Sequence, residues 1–406
     1  MSHLHRLLSD PAVGLVFDAL DGDGEELRIA GGAVRDVLGG KMPAEVDFAT
    51  TALPDEVIRR AAAAGLKTVP TGIDHGTVTV LAEGRPFEVT TLRRDVETDG
   101  RHARVVFGRD WAEDARRRDF TINGLFLGRD GVVHDVVGGQ DDMKAKRVRF
   151  IGDARTRIRE DYLRLLRFFR FHAGYGEGMP DAEGFSAAVG ERQGLGRLSR
   201  ERIRAELMKL LVMPRAGLVV HVMTNAGLMG MVLGGMARPR AFVRMVEIET
   251  GMGLAPDPVR RLGALALFIP ENAARLRERL RLSNDETERL ARMAGRPEIV
   301  SGLSEAARRT CLYRIGADTF RDRALLHWAR TGEATRAVFD WSGGWTPPKF
   351  PVTAAQLMER GIEKGPRLGA ALARIEEGWI AADFPDDAAA LDALIVAAMA
   401  STRSSS

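Results

Sequence analysis

Apolar residues recur at two different spacings along this chain, and the change between them divides it. In the first third they alternate over short runs. "ELRIAGG" reads as a short strand running into glycines, and "EVDFAT", "GTVTVL" and "PFEVTTL" read as further strands. "PDEVIRRAAAAG" reads as a helix, with Asp55 and Glu56 in its first turn and Gly65 as its stop. After about Ile151 nearly everything follows the helical period: "SRERIRAELMKLLV", "DPVRRLGALALF", "AARLRERLRL", "NDETERLARMAG" and "EAARRTCLYRIG". Ser199 is a suitable N-cap for the first of these. "WSGGWTPPKFP" reads as a linker or loop before a last helical segment, and the end, "STRSSS", is expected to be disordered. No fixed-period repeat stands out. The fold class is α+β: a small mixed sheet with helices, followed by a long all-helical part.

One stretch fits its helical period too richly in charge. In "EDYLRLLRFFR", residues 160–170, a continuous helix at about 100° per residue puts Glu160, Asp161, Arg164 and Arg167 within roughly 120° of arc. Arg170 lies about 60° further round. Leu165, Leu166 and Phe169 point the other way. Such a face is either a solvated row of i,i+4 ion pairs or a set of fixed hydrogen-bonding groups that reads a ligand.

Composition narrows the choice only slightly. The 406 residues suffice for two or more domains with cores, and 45% hydrophobic with 28% charged residues fits a globular protein. The formal charge is only +3, but basic residues cluster between Lys144 and Arg170, which suits a polyanion such as RNA or a triphosphate. The single cysteine, Cys311, excludes an intrachain disulfide and a cysteine-based zinc site. "MSHLHRLLSD" lacks the apolar run of a signal peptide, and no segment reaches the roughly 20 apolar residues of a membrane span. A cytoplasmic protein without membrane association is expected.

The head carries the chemistry. In "RIAGGAVRDVLGG", Gly31 and Gly32 lie between a strand and a helix, where backbone can approach a phosphate and a helix start offers free N–H groups. Arg35 could add a charge-assisted contact. Most such glycine pairs are ordinary turns. In "AEVDFAT", Glu45 and Asp47 are two apart, so on a strand both face one way. Two adjacent carboxylates repel unless a cation lies between them. A glycine turn, a helix and an acid-x-acid strand together suit Mg²⁺-dependent nucleotidyl transfer. Glu88 is either a third carboxylate or part of a structural ion pair. In "EDARRRDFTING", Arg118 is the candidate phosphate clamp, with Asp119 orienting it.

These residues resemble the class II tRNA nucleotidyltransferases, the CCA-adding enzymes of the DNA polymerase β superfamily. The likeness runs almost continuously from Arg28 to Leu211 and is especially close to the mitochondrial type: "AGGAVRD", "VDFATTA", "HGTVTV", "FEVTTLRRDVETDGRHARVVF", "RRDFTINGLFLG", "KRVRFIGDARTRIREDYLRLLRFFRF" and "LSRERIRAELMKLLV" all fit. Beyond about residue 215 only helical texture remains. The resemblance implies a catalytic head over 1–150, a helical neck over 151–215, a body over 216–300 and a tRNA-binding tail over 301–400. It implies addition of C, C and A to the tRNA 3′ end from CTP and ATP, with Mg²⁺ as cofactor and no obligatory protein partner. Position by position, Gly31, Gly32 and Arg35 would hold the triphosphate. Glu45 and Asp47 would be catalytic and hold the metal, and Arg118 would contact phosphate. Asp161 and Arg164 would read the base, supported by Arg167 and Arg170. Asp99, Gly100 and Arg101 would belong to the flexible loop that switches the family from C to A addition. Two positions depart from the pattern. Glu45 stands where the family usually has Asp, which keeps the charge and lengthens the carboxylate by one methylene. Arg116 stands where related chains often carry an acid.

An Asp–Arg pair can choose C and A for a physical reason. A carboxylate only accepts hydrogen bonds and a guanidinium only donates them. Cytosine and adenine both set an exocyclic amine beside a ring-nitrogen acceptor, so Asp161 could accept from the amine while Arg164 donates to the ring. Uracil and guanine reverse that order and would leave buried charges unpaired, a discrimination on the order of 10³-fold or more. Two other readings stay open here. A poly(A) polymerase of the same family would share the head and neck, and an inactive RNA-binding relative would keep the shape without the chemistry. "GIEKGPRLG" near the C-terminus is either an ordinary turn or a phosphate-holding helix start.

Overall fold

The structure is a computed structural model and describes residues 2–99, 102–295 and 303–403. Two compact units divide it, Met1–Met236 and Ala237–Ser406.

The first unit is built on nine strands: β1 (Leu27–Ala30), β2 (Phe48–Thr50), β3 (Lys67–Gly72), β4 (Thr77–Ala82), β5 (Arg85–Thr91), β6 (Arg93–Asp99), β7 (His102–Phe107), β8 (Phe126–Leu127) and β9 (Val133–His134). Seven form one mixed sheet in the order β3-β4-β5-β2-β1-β8-β9, and β6 and β7 form a separate hairpin. β2 runs parallel to β5 with Phe48 beside Val89, and antiparallel to β1. The α-helices are α1 (His3–Leu8), α2 (Pro11–Leu20), α3 (Gly32–Leu38), α4 (Pro54–Ala63), α5 (Trp111–Arg116), α6 (Gly139–Lys144), α7 (Ala154–Glu160), α8 (Leu163–Tyr175), α9 (Ala182–Gly190), α10 (Arg200–Leu211), α11 (Ala216–Asn225) and α12 (Leu228–Leu233). α2 and α4 cover the sheet. Phe17, Phe48 and Phe87 meet edge to face at 5.3 and 6.0 Å in a core with Val34, Val80 and Val89. The alternation that identified β4 and β5 is the pleat itself, with every second side chain turned into this core.

α4 begins at Pro54 and ends before Gly65, whose φ of +76° suits a glycine after a helix C-terminus. Ser199 caps α10 by accepting from the Arg202 amide. Three expectations need correction. The charged stretch at 160–170 is not one helix: α7 ends at Glu160, Asp161 is extended (φ −151°, ψ 106°), and α8 starts at Leu163. The Asp161 carboxylate accepts from the Leu163 amide at 3.1 Å, so a side chain preferred at helix starts interrupts the run. The apolar back face is as expected, with Leu165, Leu166 and Phe169 buried. "WSGG" is not linker but the last turn of a helix, Arg336–Gly344, and the irregular stretch begins at Trp345. The terminal helix Ala388–Arg403 also carries helical backbone through Ser401, Thr402 and Arg403.

The second unit is helical among its described residues. Its core includes a buried charge network. Glu249 accepts from Arg261 at 2.6 Å and from Arg260 at 3.0 Å, and Asp322 accepts from Arg260 at 2.9 Å and from Arg289 at 2.8 Å. Arg289 also reaches Asp257 at 2.7 Å. The segment "GIEKGPRLG" leads into the helix Pro366–Ala381, with Gly361 at φ +92°.

Candidate active site

β1 delivers the chain to Gly31, which adopts φ +56° and donates its amide to the Leu125 carbonyl at 2.9 Å. A side chain there would be strained, and a Cβ would lie 2.7 Å from Arg118 Nη1 and 3.3 Å from the Asn123 carbonyl oxygen. The glycine thus lets Arg118 pack against the turn. Arg118 is held by Asp114, whose Oδ2 accepts from Nε at 3.2 Å and Nη2 at 3.0 Å. The orienting acid is therefore Asp114, not Asp119. Asp114 is buried, and burial alone would push its carboxyl up. The charges and hydrogen bonds of Arg118 and Arg117 outweigh this and hold it below the usual range.

Asp119 serves the other side. It is 8% exposed and accepts from Asn123 Nδ2 at 2.9 Å and Arg167 Nε at 2.7 Å. Burial pushes its carboxyl up, but the Arg167 charge and these bonds bring it down overall. Arg35, on α3, is buried. It donates to Asn123 Oδ1 at 2.6 Å and to Asp36 at 2.8 and 3.0 Å, and lies 4.3 Å over the Tyr175 ring.

The helix break sets Asp161 and Arg164. Asp161 Oδ2 accepts from Arg202 Nη2 at 2.7 Å while Oδ1 accepts from the Leu163 amide at the start of α8. Arg164 Nη1 donates to the Arg157 carbonyl at 3.0 Å and pairs with Glu160. A cavity of about 470 Å³ joins the two sides. Of the residues expected from sequence, Gly31, Gly32, Arg35, Arg118, Asp161, Arg164 and Arg167 line it. Arg170 does not: it pairs with Glu206 at 2.5 Å and ties α8 to α10. Sequence reading missed Asn123, Arg117 and Arg202, which also line the cavity. A polar amide inside the apolar run "FTINGLF" was a usable signal for Asn123. Nothing local marks Arg202 apart from its neighbours.

Glu45 and Asp47 lie just before β2 rather than on it, and both are exposed. Their two-residue spacing still acts as predicted, since Val46 and Phe48 between and after them are buried. The β2–β5 register puts Asp47 alongside Glu88. Partial burial of its carboxyl, then the charges of Glu88 and Glu45, raise the Asp47 pKa, and Arg118 alone works against them. Glu88 is thus part of a repelling carboxylate group. Such oxygen donors fit a hard divalent cation, which takes one or two carboxylates and completes its shell with phosphate and water. Among the described residues no group of three or more His, Cys, Asp or Glu side chains is placed to hold a metal alone. Gly100 and Arg101 of the expected loop lie outside the described residues, and Asp99 ends β6.

A glycine turn with clustered arginines, beside repelling carboxylates at the central strands of one sheet, defines a nucleotidyltransferase head. Residues 27–149 match the family model described as "Poly A polymerase head domain". Over its length the chain is 37% identical to the mitochondrial CCA tRNA nucleotidyltransferase 1 of Danio rerio, covering 92% of this chain and 87% of that protein. It is 30% identical to the CCA-adding enzyme of Levilactobacillus brevis, covering 94% and 96%. The crystal structure of the Bacillus stearothermophilus CCA-adding enzyme in complex with CTP superposes with a TM-score of 0.74, covering 100% of both chains, and at 23% identity shares the fold. The chain belongs to the CCA tRNA nucleotidyltransferase family. Nucleotidyltransferases with this head work with a divalent metal.

Proposed function

We propose that this chain adds C, C and A in turn to the 3′ end of tRNA from CTP and ATP, and that one cleft binds and reads every incoming nucleotide. The observation that carries this reading is the cavity shared by the Gly31–Gly32 turn and by Asp161 and Arg164. Six arginines and two aspartates line it, and the guanidinium donors suit the oxygens of a triphosphate.

In this reading the tRNA 3′-oxygen bonds to the α-phosphorus, the α–β phosphoanhydride bond breaks, and pyrophosphate leaves. Gly31, Gly32, Arg35 and Arg118 hold the triphosphate, with Arg118 aimed by Asp114. Asp161 accepts from the base amine and Arg164 donates to the ring nitrogen. Arg202 pairs with Asp161 and Glu160 with Arg164, which fixes both groups in place. Asp161 keeps acceptor capacity beyond its two present bonds. Arg167 fixes the helix through Asp119, and Arg170 supports it through Glu206. Glu45 and Asp47 would hold Mg²⁺, which when bound supplies Lewis acidity to the phosphate oxygens and lowers the pKa of the attacking hydroxyl. The helical remainder, including the tail over 301–400, would hold the tRNA by shape and backbone contacts, so binding should weaken with salt. Asp99, Gly100 and Arg101 would permit the switch from C to A. We place the reaction in the cytoplasm, where a chain with one cysteine needs no oxidising environment. Subcellular fractionation tests this against the organelle named for the Danio rerio relative.

The head match favours a second reading, poly(A) synthesis. One assay separates the two. Purified protein with Mg²⁺ receives tRNAs ending before CCA, after C and after CC, with each nucleotide alone and then CTP with ATP. Products that stop at CCA, without UTP or GTP use, support the reading and show that Glu45 suffices. Long A tails would transfer it to poly(A) synthesis, and tRNA that binds without extension would indicate an inactive relative.

A further inference from the structure

Asn123 stands between the two halves of the cleft. It ends a single helical turn, Thr121–Asn123, and is 7% exposed. Its Oδ1 accepts from Arg35 at 2.6 Å, and its Nδ2 donates to Asp119 at 2.9 Å. The other oxygen of Asp119 accepts from Arg167 at 2.7 Å. Three consecutive hydrogen bonds therefore run from the phosphate-side helix α3 to the base-side helix α8. Arg35, Asn123 and Asp119 are all buried, where such bonds polarise one another. The chain has one polarity. A reversed amide would set its NH₂ against the guanidinium and its oxygen against the carboxylate, two repulsions at once. The same two arginines also share a ring: Phe171 lies 5.0 Å from Arg35 and 5.2 Å from Arg167.

We propose that Asn123 is a positioning residue that couples seating of the triphosphate to selection of the base. The inference rests on the function proposed above. Triphosphate drawn onto Arg35 changes the Arg35–Asn123 bond. The amide passes that change to Asp119 and Arg167, one helical turn from Arg164 on the same helix. Base choice is then sharpest when the triphosphate is in place, and partly seated nucleotides are read less strictly.

The test compares the full-length wild type with Asn123→Asp and Asn123→Ser. The measured quantities are kcat/KM for CTP and for UTP on a tRNA ending before CCA, with Tm recorded for each protein. Aspartate keeps an acceptor for Arg35 but sets a carboxylate against Asp119, and serine is too short to make both bonds. The expected result is a fall in the CTP-to-UTP ratio of about tenfold in each variant, the effect of one lost buried hydrogen bond. A purely structural role would lower both rates by one factor and leave the ratio unchanged, which would overturn the proposal. Should the aspartate variant not fold, the serine variant alone decides. Wild type that prefers CTP beside variants that prefer it equally overturns the coupling alone. Wild type that extends no tRNA overturns the functional reading and the coupling with it.

Discussion

The protein contains two arginine–carboxylate networks that look alike on paper. In the second unit, Arg260, Arg261 and Arg289 meet Glu249, Asp257 and Asp322, three cations to three anions. In the first, six arginines line an open cavity and pair with Asp36, Asp114, Asp119, Glu160 and Asp161. The network of the second unit closes on itself in the core. That of the first unit is also paired, but its guanidinium groups border open space. The difference between a strut and a reader therefore lies in space, since the residue types and the pairing are much the same.

The sharpest way to break this comparison is Asp161→Ala. Selection of C and A over U and G should collapse, on the order of 10³-fold in relative kcat/KM, at a stability cost of only about 1 kcal/mol for the lost helix-start bond. Retained preference in single-nucleotide extension would remove the reader from the picture. Asp322→Ala tests the other side. It leaves Arg260 and Arg289 without their shared acceptor, and urea denaturation should show a loss of about 3 kcal/mol. Little loss would mean that this network is no strut. Gly31→Ala is smaller. Positive φ and the nearby Arg118 guanidinium predict a cost of about 1–2 kcal/mol in nucleotide binding, seen as a raised KM with a lesser change in kcat. The smallest effect is in pH. The folded Asp119 carboxyl lies below its ordinary 3.8, so the unfolded chain binds its proton more readily. Its contribution is fully present above about pH 4, by that sign, and is lost as the pH falls through the folded value. Acid titration of thermal stability should lose part of its slope in Asp119→Asn.

Much of the first unit was legible because its signals are local. The strand alternation at β4 and β5, the Asp–Glu start of α4 and the glycines after β1 each report the backbone around them. The carboxylate spacing at Glu45 and Asp47 was legible even though no regular strand reaches it, because burial of Val46 and Phe48 preserves the alternation. The partners were harder. Arg118 is oriented by Asp114, one turn back on α5, while its neighbour Asp119 reaches Arg167 on α8. Adjacent residues on opposite walls cannot be assigned partners from spacing alone. The break at Asp161 has a local cause, an aspartate ahead of a helical run, but apolar periodicity carried the reading across it. Arg202 comes from α10, and only the fold brings it to Asp161.

The break at Asp161 also limits how this enzyme can change its alphabet. In the proposed reading one side chain both starts a helix and faces the incoming letter, so a substitution that alters recognition is filtered first by helix initiation. Alanine, valine or leucine would lose the helix-start bond along with the acceptor. Asparagine keeps that bond and adds a donor, which makes it the shortest mutational path toward pairing with a carbonyl-bearing base. A nucleotide code held in a folding signal drifts slowly, because nearly every misspelling is also a structural fault.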